Sequence, residues 1–99
     1  MKLSELIWDL PLENRGAEER EITDITNDTR RLVPGALFAA LPGAREDGND
    51  YIREALEKGA TAVLCRRPPD FDGPCLVTDR PRMVYGLLCK RWFGTRRGT

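Results

Sequence analysis

Residues 36 to 65 constrain the fold of this chain most. Two apolar runs, "ALFAAL" and "ATAVLC", flank the segment "NDYIREALEKG". Each run is too short for a helix of ordinary length and apolar at successive positions. That is the pattern of a strand buried on both faces, as in the interior of a parallel sheet. Between them Tyr51, Ile52, Ala55 and Leu56 recur at helical spacing, which predicts a helix over residues 50 to 58. Asn49 or Asp50 is its N-cap, Lys58 suits the negative end of its dipole, and Gly59 is its stop. Strand, helix, strand is the crossover unit from which parallel sheets are built.

The flanks extend this unit. Leu3, Leu6, Ile7 and Leu10 predict a short N-terminal helix that ends before Pro11, and "ENRGAEER", residues 13 to 20, reads as a polar loop. "EITDIT", residues 21 to 26, is rich in β-branched residues and reads as a strand, and Pro34-Gly35 reads as a turn. The loop "PGAREDG" carries a glycine near each end, and "RRPPDFDGP" is a second loop. "CLVT" is a further strand. The last helix is capped by Asp79 or Arg80, carries Pro81 in its first turn, and has Met83, Val84, Leu87, Leu88 and Trp92 on its inner face. The expected fold class is α/β: a single small layered domain with a short, mostly parallel or mixed sheet flanked by helices. Residues 1 to 93 form the domain, and residues 94 to 99, "GTRRGT" with the glycine first, read as a linker stub or an added remnant.

Composition excludes several functions. The chain has 99 residues, enough for one modest core, and its 16 basic and 16 acidic residues balance. Zero formal charge gives no general pull toward nucleic acid or an anionic membrane, and no apolar run approaches a membrane span. The N-terminus does not read as a signal peptide. Histidine is absent, which removes the commonest general base and the usual triads. The three cysteines, Cys65, Cys75 and Cys89, are far apart and read as reduced thiols of a cytoplasmic protein, not as a zinc site. There is no G-x-x-x-x-G-K-[ST] and no G-x-G-x-x-G, so ATP is not bound by the commonest route.

The polar stretch "NDTRRLVPGALFAALPGAREDG" holds the candidate site residues. Asp28, Glu46 and Asp47 could meet at one end of a parallel sheet as an acid/base pair or a Mg²⁺ site. The stronger reading makes Asp28 and Asp47 turn builders. The arginine pairs 66/67 and 96/97 read as solvated charge. Arg30, beside Asp28 and Thr29, suits either an ion pair or a ligand contact. Thr29 and the backbone amides of residues 43 to 46 can hydrogen-bond a polar ligand. Trp8 and Trp92 sit on apolar helical stripes and read as core.

These residues also resemble a family. Asp28-Thr29-Arg30, Pro34-Gly35, Leu37-Phe38, Ala40, Gly43, Asp47-Gly48, Tyr51-Ile52, Ala55, Gly59-Ala60 and Ala62-Val63 follow, in order and spacing, the pattern of the N-terminal domain of the Mur ligases. The likeness is close over residues 21 to 65 and looser toward both ends. Within the family the chain is most similar to the branch that adds the third residue of the peptidoglycan stem peptide.

The resemblance implies a domain that binds the UDP part of UDP-MurNAc-L-Ala-D-Glu, is not catalytic alone, and holds neither cofactor nor metal. In the full-length ligase, ATP and Mg²⁺ would be handled by a central domain and the amino acid by a C-terminal one. There the substrate carboxylate becomes an acyl phosphate, which the amino acid displaces. Implied partners are that UDP-sugar and those two domains, with no nucleic acid and no membrane, in the bacterial cytoplasm. By position the UDP contacts fall on Asn27, Thr29, Ala44, Arg45 and Glu46, with Arg30 beside them. Thr29 stands where serine is usual, Asn49 where histidine is frequent, and Arg45-Glu46 where smaller or uncharged residues are common. Alternatives are the branch that adds D-Ala-D-Ala and a free-standing interaction module.

Overall fold

The structure is a computed structural model and describes residues 2–17, 19–41, 51–66 and 73–97, with side chains described as far as Gly94 in the last helix. Helix α1 is Ser4–Ile7, and strand β1 is Glu13–Arg15. Strand β2 (Ile25–Thr26) leads into a 3-10 turn at Thr29–Arg31 and then to β3, Leu37–Ala39. Helix α2 (Ile52–Glu57), strands β4 (Ala62–Cys65) and β5 (Cys75–Val77), and helix α3 (Pro81–Arg97) follow. The sheet order is β1-β5-β4-β3-β2. The pairs β2–β3, β3–β4 and β4–β5 are parallel, and β1 runs antiparallel to β5. The expected α/β class with a mixed sheet is the one observed.

The two apolar runs are buried on both faces, as their composition requires. Leu37, Ala39, Ala62, Leu64 and Leu76 point to one side, where they meet Leu3, Leu6 and Ile7 of the α1 region and Val84, Leu88 and Trp92 of α3. Phe38, Val63, Cys65 and Cys75 point to the other, where they meet Ile52 and Ala55 of α2. Alternation along each strand therefore divides the apolar residues between two helix layers with the sheet between them.

The turn chemistry fixes how the layers join. Gly35 has φ +87° and its N–H donates to the Gly59 carbonyl at 2.8 Å. Gly59, with φ +102°, ends α2 as expected, and a Cβ there would lie 3.1 Å from the Pro34 Cα. The end of α2 and the Pro34-Gly35 turn are thus in backbone contact. At the start of α3 the Arg80 carbonyl accepts the Val84 N–H at 3.0 Å, which puts Arg80 rather than Asp79 in the cap position.

Several expectations are corrected. The segment read as a polar loop contains β1, whose three residues are all exposed; a strand without an inward apolar side chain leaves no period to read. Buried Ala17, whose N–H donates to Asn14 Oδ1 at 2.9 Å, was likewise hidden in that polar stretch. Only Ile25–Thr26 of the strand expected over 21 to 26 is in the sheet, and Glu21 makes an isolated bridge to Lys2. Trp8 is 77% exposed, not core, because α1 ends at Ile7 and Trp8 lies outside the packed face, 5.9 Å from the Arg91 guanidinium. Met83 is 40% exposed and Leu87 only half-buried. The inner face of α3 is turned toward Tyr85 and Cys89, which pack against the core in their place. Leu56 is half-buried, so Ile52 and Ala55 carry the seat of α2. Helix α3 runs on through residues 94 to 97, so the described part of the expected linker stub is helical. The Asn49/Asp50 cap, the "GAREDG" loop and most of "RRPPDFDGP" lie outside the described residues.

Candidate functional site

Strand β2 ends at Thr26, and the chain turns at once. The Thr26 hydroxyl accepts the Asp28 N–H at 3.1 Å, and Asp28 Oδ1 accepts the Arg30 N–H at 2.9 Å. Asp28 is therefore the side-chain cap of the 3-10 turn, the turn-building role read from sequence. Its two oxygens are also held by the fork of Arg30, Nε to Oδ1 and Nη2 to Oδ2, each at 3.1 Å. These bonds from Arg30, side chain first and backbone second, hold the Asp28 carboxyl below its ordinary range, while Asp28 raises Arg30. Of the two roles open to Arg30, the ion pair is present within the turn, and Arg30 also lines the cleft beside it.

The turn forms one wall of an open cleft of about 660 Å³ at the carboxyl ends of β2 and β3. Asn27, Asp28, Thr29 and Arg30 line that side, Phe38 of β3 lies at the base, and Tyr51 and Glu54 of the α2 region form the opposite wall. Thr29 is only 8% exposed. Its carbonyl accepts a hydrogen bond from Lys58 Nζ at 3.0 Å, and Glu54 Oε1 stands 3.5 Å from the same ammonium. Both described carboxylates of the cleft, Asp28 and Glu54, thus have a cationic partner within ion-pair distance.

Of the expected site residues, Asn27, Thr29 and Arg30 are brought together in this cleft. Ala44, Arg45, Glu46 and Asp47 lie outside the described residues, in the segment that joins the end of β3 to Tyr51. Among the described residues no three His, Cys, Asp or Glu side chains group as a metal site. Phe38, Tyr51, Glu54 and Lys58 were not singled out as site residues. For Tyr51, Glu54 and Lys58 a signal existed: spacings of three and four place them on adjoining turns of one helix. Phe38 carried none, since a strand aromatic reads as core. The cysteines are free, with Cys65 and Cys75 buried in the α2-side core and Cys89 half-buried.

Fold and cleft together define a class: a small α/β domain whose cleft lies where open parallel sheets take ligands, outside the carboxyl ends of the strands. Residues 21–88 match the family model described as "Mur ligase family, catalytic domain". The chain belongs to the Mur ligase family. It is 36% identical over 102 residues to the UDP-N-acetylmuramoyl-L-alanyl-D-glutamate--2,6-diaminopimelate ligase of Mesorhizobium japonicum, an alignment that covers 100% of this chain and 21% of the relative. It is 45% identical over 64 residues to the UDP-N-acetylmuramoyl-tripeptide--D-alanyl-D-alanine ligase of Escherichia coli, covering 65% of this chain and 14% of that one. Among solved structures, MurF from Acinetobacter baumannii superposes with a TM-score of 0.67 at 25% identity, covering 80% of this chain and 21% of that chain. The chain spans about a fifth of the length of the curated relatives it matches. Among the described residues no helix is long and apolar enough to cross a membrane.

Proposed function

We propose that this chain is the UDP-sugar-binding domain of an ATP-dependent Mur ligase of the branch that adds the third stem-peptide residue to UDP-MurNAc-L-Ala-D-Glu. Residues 1 to 93 form the domain and residues 94 to 99 lead out of it. The observation that carries the reading is the cleft, which gathers Asn27, Thr29 and Arg30 at the carboxyl ends of β2 and β3. Its size suits part of a nucleotide, since small-molecule sites run to roughly 300–1,000 Å³. Half-buried Tyr51 offers an aromatic flank, with the buried Phe38 beneath, and the Thr29 hydroxyl offers a donor. In this reading Ala44, Arg45 and Glu46 also contact the UDP part, through their backbone amides.

The chemistry divides accordingly. This chain's residues bind and orient the nucleotide end of the substrate. Asp28 and Glu54 are engaged by Arg30 and Lys58, which suits a wall better than a general base. With no P-loop in the sequence, ATP and Mg²⁺ belong to other parts of the ligase. Several diaminopimelate-adding ligases among the relatives favour the third-residue branch. The Escherichia coli relative keeps the D-Ala-D-Ala branch as a second reading. A full-length ligase of the first branch consumes UDP-MurNAc-L-Ala-D-Glu, an amino acid and ATP; consumption of the tripeptide with D-Ala-D-Ala instead assigns the second.

For the chain itself, titration of labelled protein with UDP is the test. Binding is expected at about 0.1–1 mM, because one domain offers only part of a ligase's contact surface. Amide shifts should cluster at residues 27 to 30 and 43 to 48. Shifts around Arg66 instead would move the site, and none at millimolar UDP would put the interaction-module reading ahead. ATP turnover by the pure protein would overturn the account.

A further inference from the structure

The two walls of the cleft come from chain segments far apart in sequence, and the Lys58 side chain ties one to the other. Its ammonium crosses from the end of α2 to the Thr29 carbonyl at 3.0 Å, and Glu54, one turn earlier, steadies it at 3.5 Å. The same carbonyl accepts the Leu32 N–H at 3.4 Å, so Lys58 completes the end of the 3-10 turn with a positive charge. A second tie runs beside it, from the Gly35 N–H to the Gly59 carbonyl at 2.8 Å. That bond fixes the backbone behind the turn, but it does not reach Thr29. Lys58 itself does not line the cleft.

We propose that Lys58 is a positioning residue for ligand binding: it holds the Thr29 turn against α2, and so sets where the Thr29 hydroxyl stands in the cleft. The proposal rests on the nucleotide-site reading for its ligand, but not for its geometry. The bonds from Asp28 and Thr26 keep the shape of the turn, and the Lys58 ammonium adds a bond from the end of α2 that sets where the turn stands relative to that helix. An arginine can supply the same donor and charge, and a methionine of similar length supplies neither.

The experiment compares wild type, Lys58→Met, Lys58→Arg, Thr29→Val and the Met/Val double variant, with UDP as probe. In the unliganded protein, the Thr29 carbonyl carbon resonance should move in Lys58→Met and return toward its place in Lys58→Arg. Lys58→Met should weaken UDP binding about fivefold, as much as loss of the hydroxyl it positions. Lys58→Arg should bind within about twofold of wild type, and the double variant should be little weaker than Lys58→Met alone, because coupled sites are not additive. Unchanged UDP affinity in Lys58→Met overturns the proposal. So do additive losses in the double variant, or equal losses in Lys58→Met and Lys58→Arg. If the wild type does not bind UDP, the nucleotide reading falls by itself. The carbonyl resonance then decides the positioning role, and an unmoved resonance in Lys58→Met overturns it. If Lys58→Met does not fold, Lys58→Leu, which also supplies neither donor nor charge, takes its place in every comparison.

Discussion

Thr29 shows how little of a residue's role its own identity carries. As a threonine after an aspartate it reads as part of a turn, and it is one. It is also nearly buried, in a cleft, with its carbonyl held from the far wall. If the hydroxyl bonds the nucleotide, Thr29→Val should weaken UDP binding by about 1 kcal/mol, near fivefold, at little cost to the fold. Equal calorimetric affinities of variant and wild type would return Thr29 to the turn alone. Asp28 is the contrasting case. Its turn role was legible because aspartate before a tight turn has a local mechanism, the side-chain oxygen accepting a nearby N–H. Its bidentate pair with Arg30 is equally local, two residues along the chain. Trp8 was misread because a tryptophan on an apolar stripe is usually core. Where the four-residue α1 stops decides otherwise.

Elements were legible where an internal period was strong. The β3–α2–β4 unit has the order expected from its two apolar runs and intervening helix. The inner face of α3 was read only in part. Val84, Leu88 and Trp92 lie on one line, and the line can be widened toward Met83 and Leu87 or toward Tyr85 and Cys89. The sheet selects the second pair. Truncation distinguishes the two faces: Leu88→Ala, at a fully buried position, should cost about 2–5 kcal/mol, and Met83→Ala within about 0.5 kcal/mol of nothing. Comparable losses by urea denaturation would mean the helix is turned the other way. Glycines give a second test with opposite signs. At Gly59, φ +102° and the nearby Pro34 backbone make Gly59→Ala destabilising by roughly 1–3 kcal/mol. Gly86, inside α3 with nothing within 4 Å of an added Cβ, should gain about 0.4–1 kcal/mol as alanine. A stabilised Gly59→Ala would place the end of α2 elsewhere.

At the scale of the molecule, a core split into two helix-backed faces buries groups that ionise at high pH. Burial, first among its causes, pushes the Cys65 thiol from 9.0 up to about 12, and burial likewise raises Tyr85 from 10.0 to about 12. The unfolded chain loses these protons at the ordinary values while the native protein keeps them. Stability from this source is therefore complete below pH 9 and declines as pH rises from about 9 to about 12. The urea midpoint should fall through that range and stay level just below it. Cys65→Ala should make the decline shallower, leaving the part due to Tyr85 and to Cys75 and Cys89, which burial also raises. A level midpoint up to pH 11 would mean that neither group is buried.

What the sequence determined by itself is what has a period or a local bond: the α/β class, the crossover unit, the Pro34-Gly35 turn, the stop at Gly59 and the capped turn at Asp28. Each follows from side-chain spacing along the chain or from backbone angles that few residues can adopt. Tertiary structure alone decided what depends on residues distant in sequence. The edge pairing of β1 with β5 comes from hydrogen bonds between strands with no apolar signature on one side. The cleft arises because parallel strands bring the turn after β2 beside the start of α2. Lys58 meets Thr29 across 29 residues of chain for the same reason: a contact between elements is set by how they pack, and packing leaves no mark in the local order of residues.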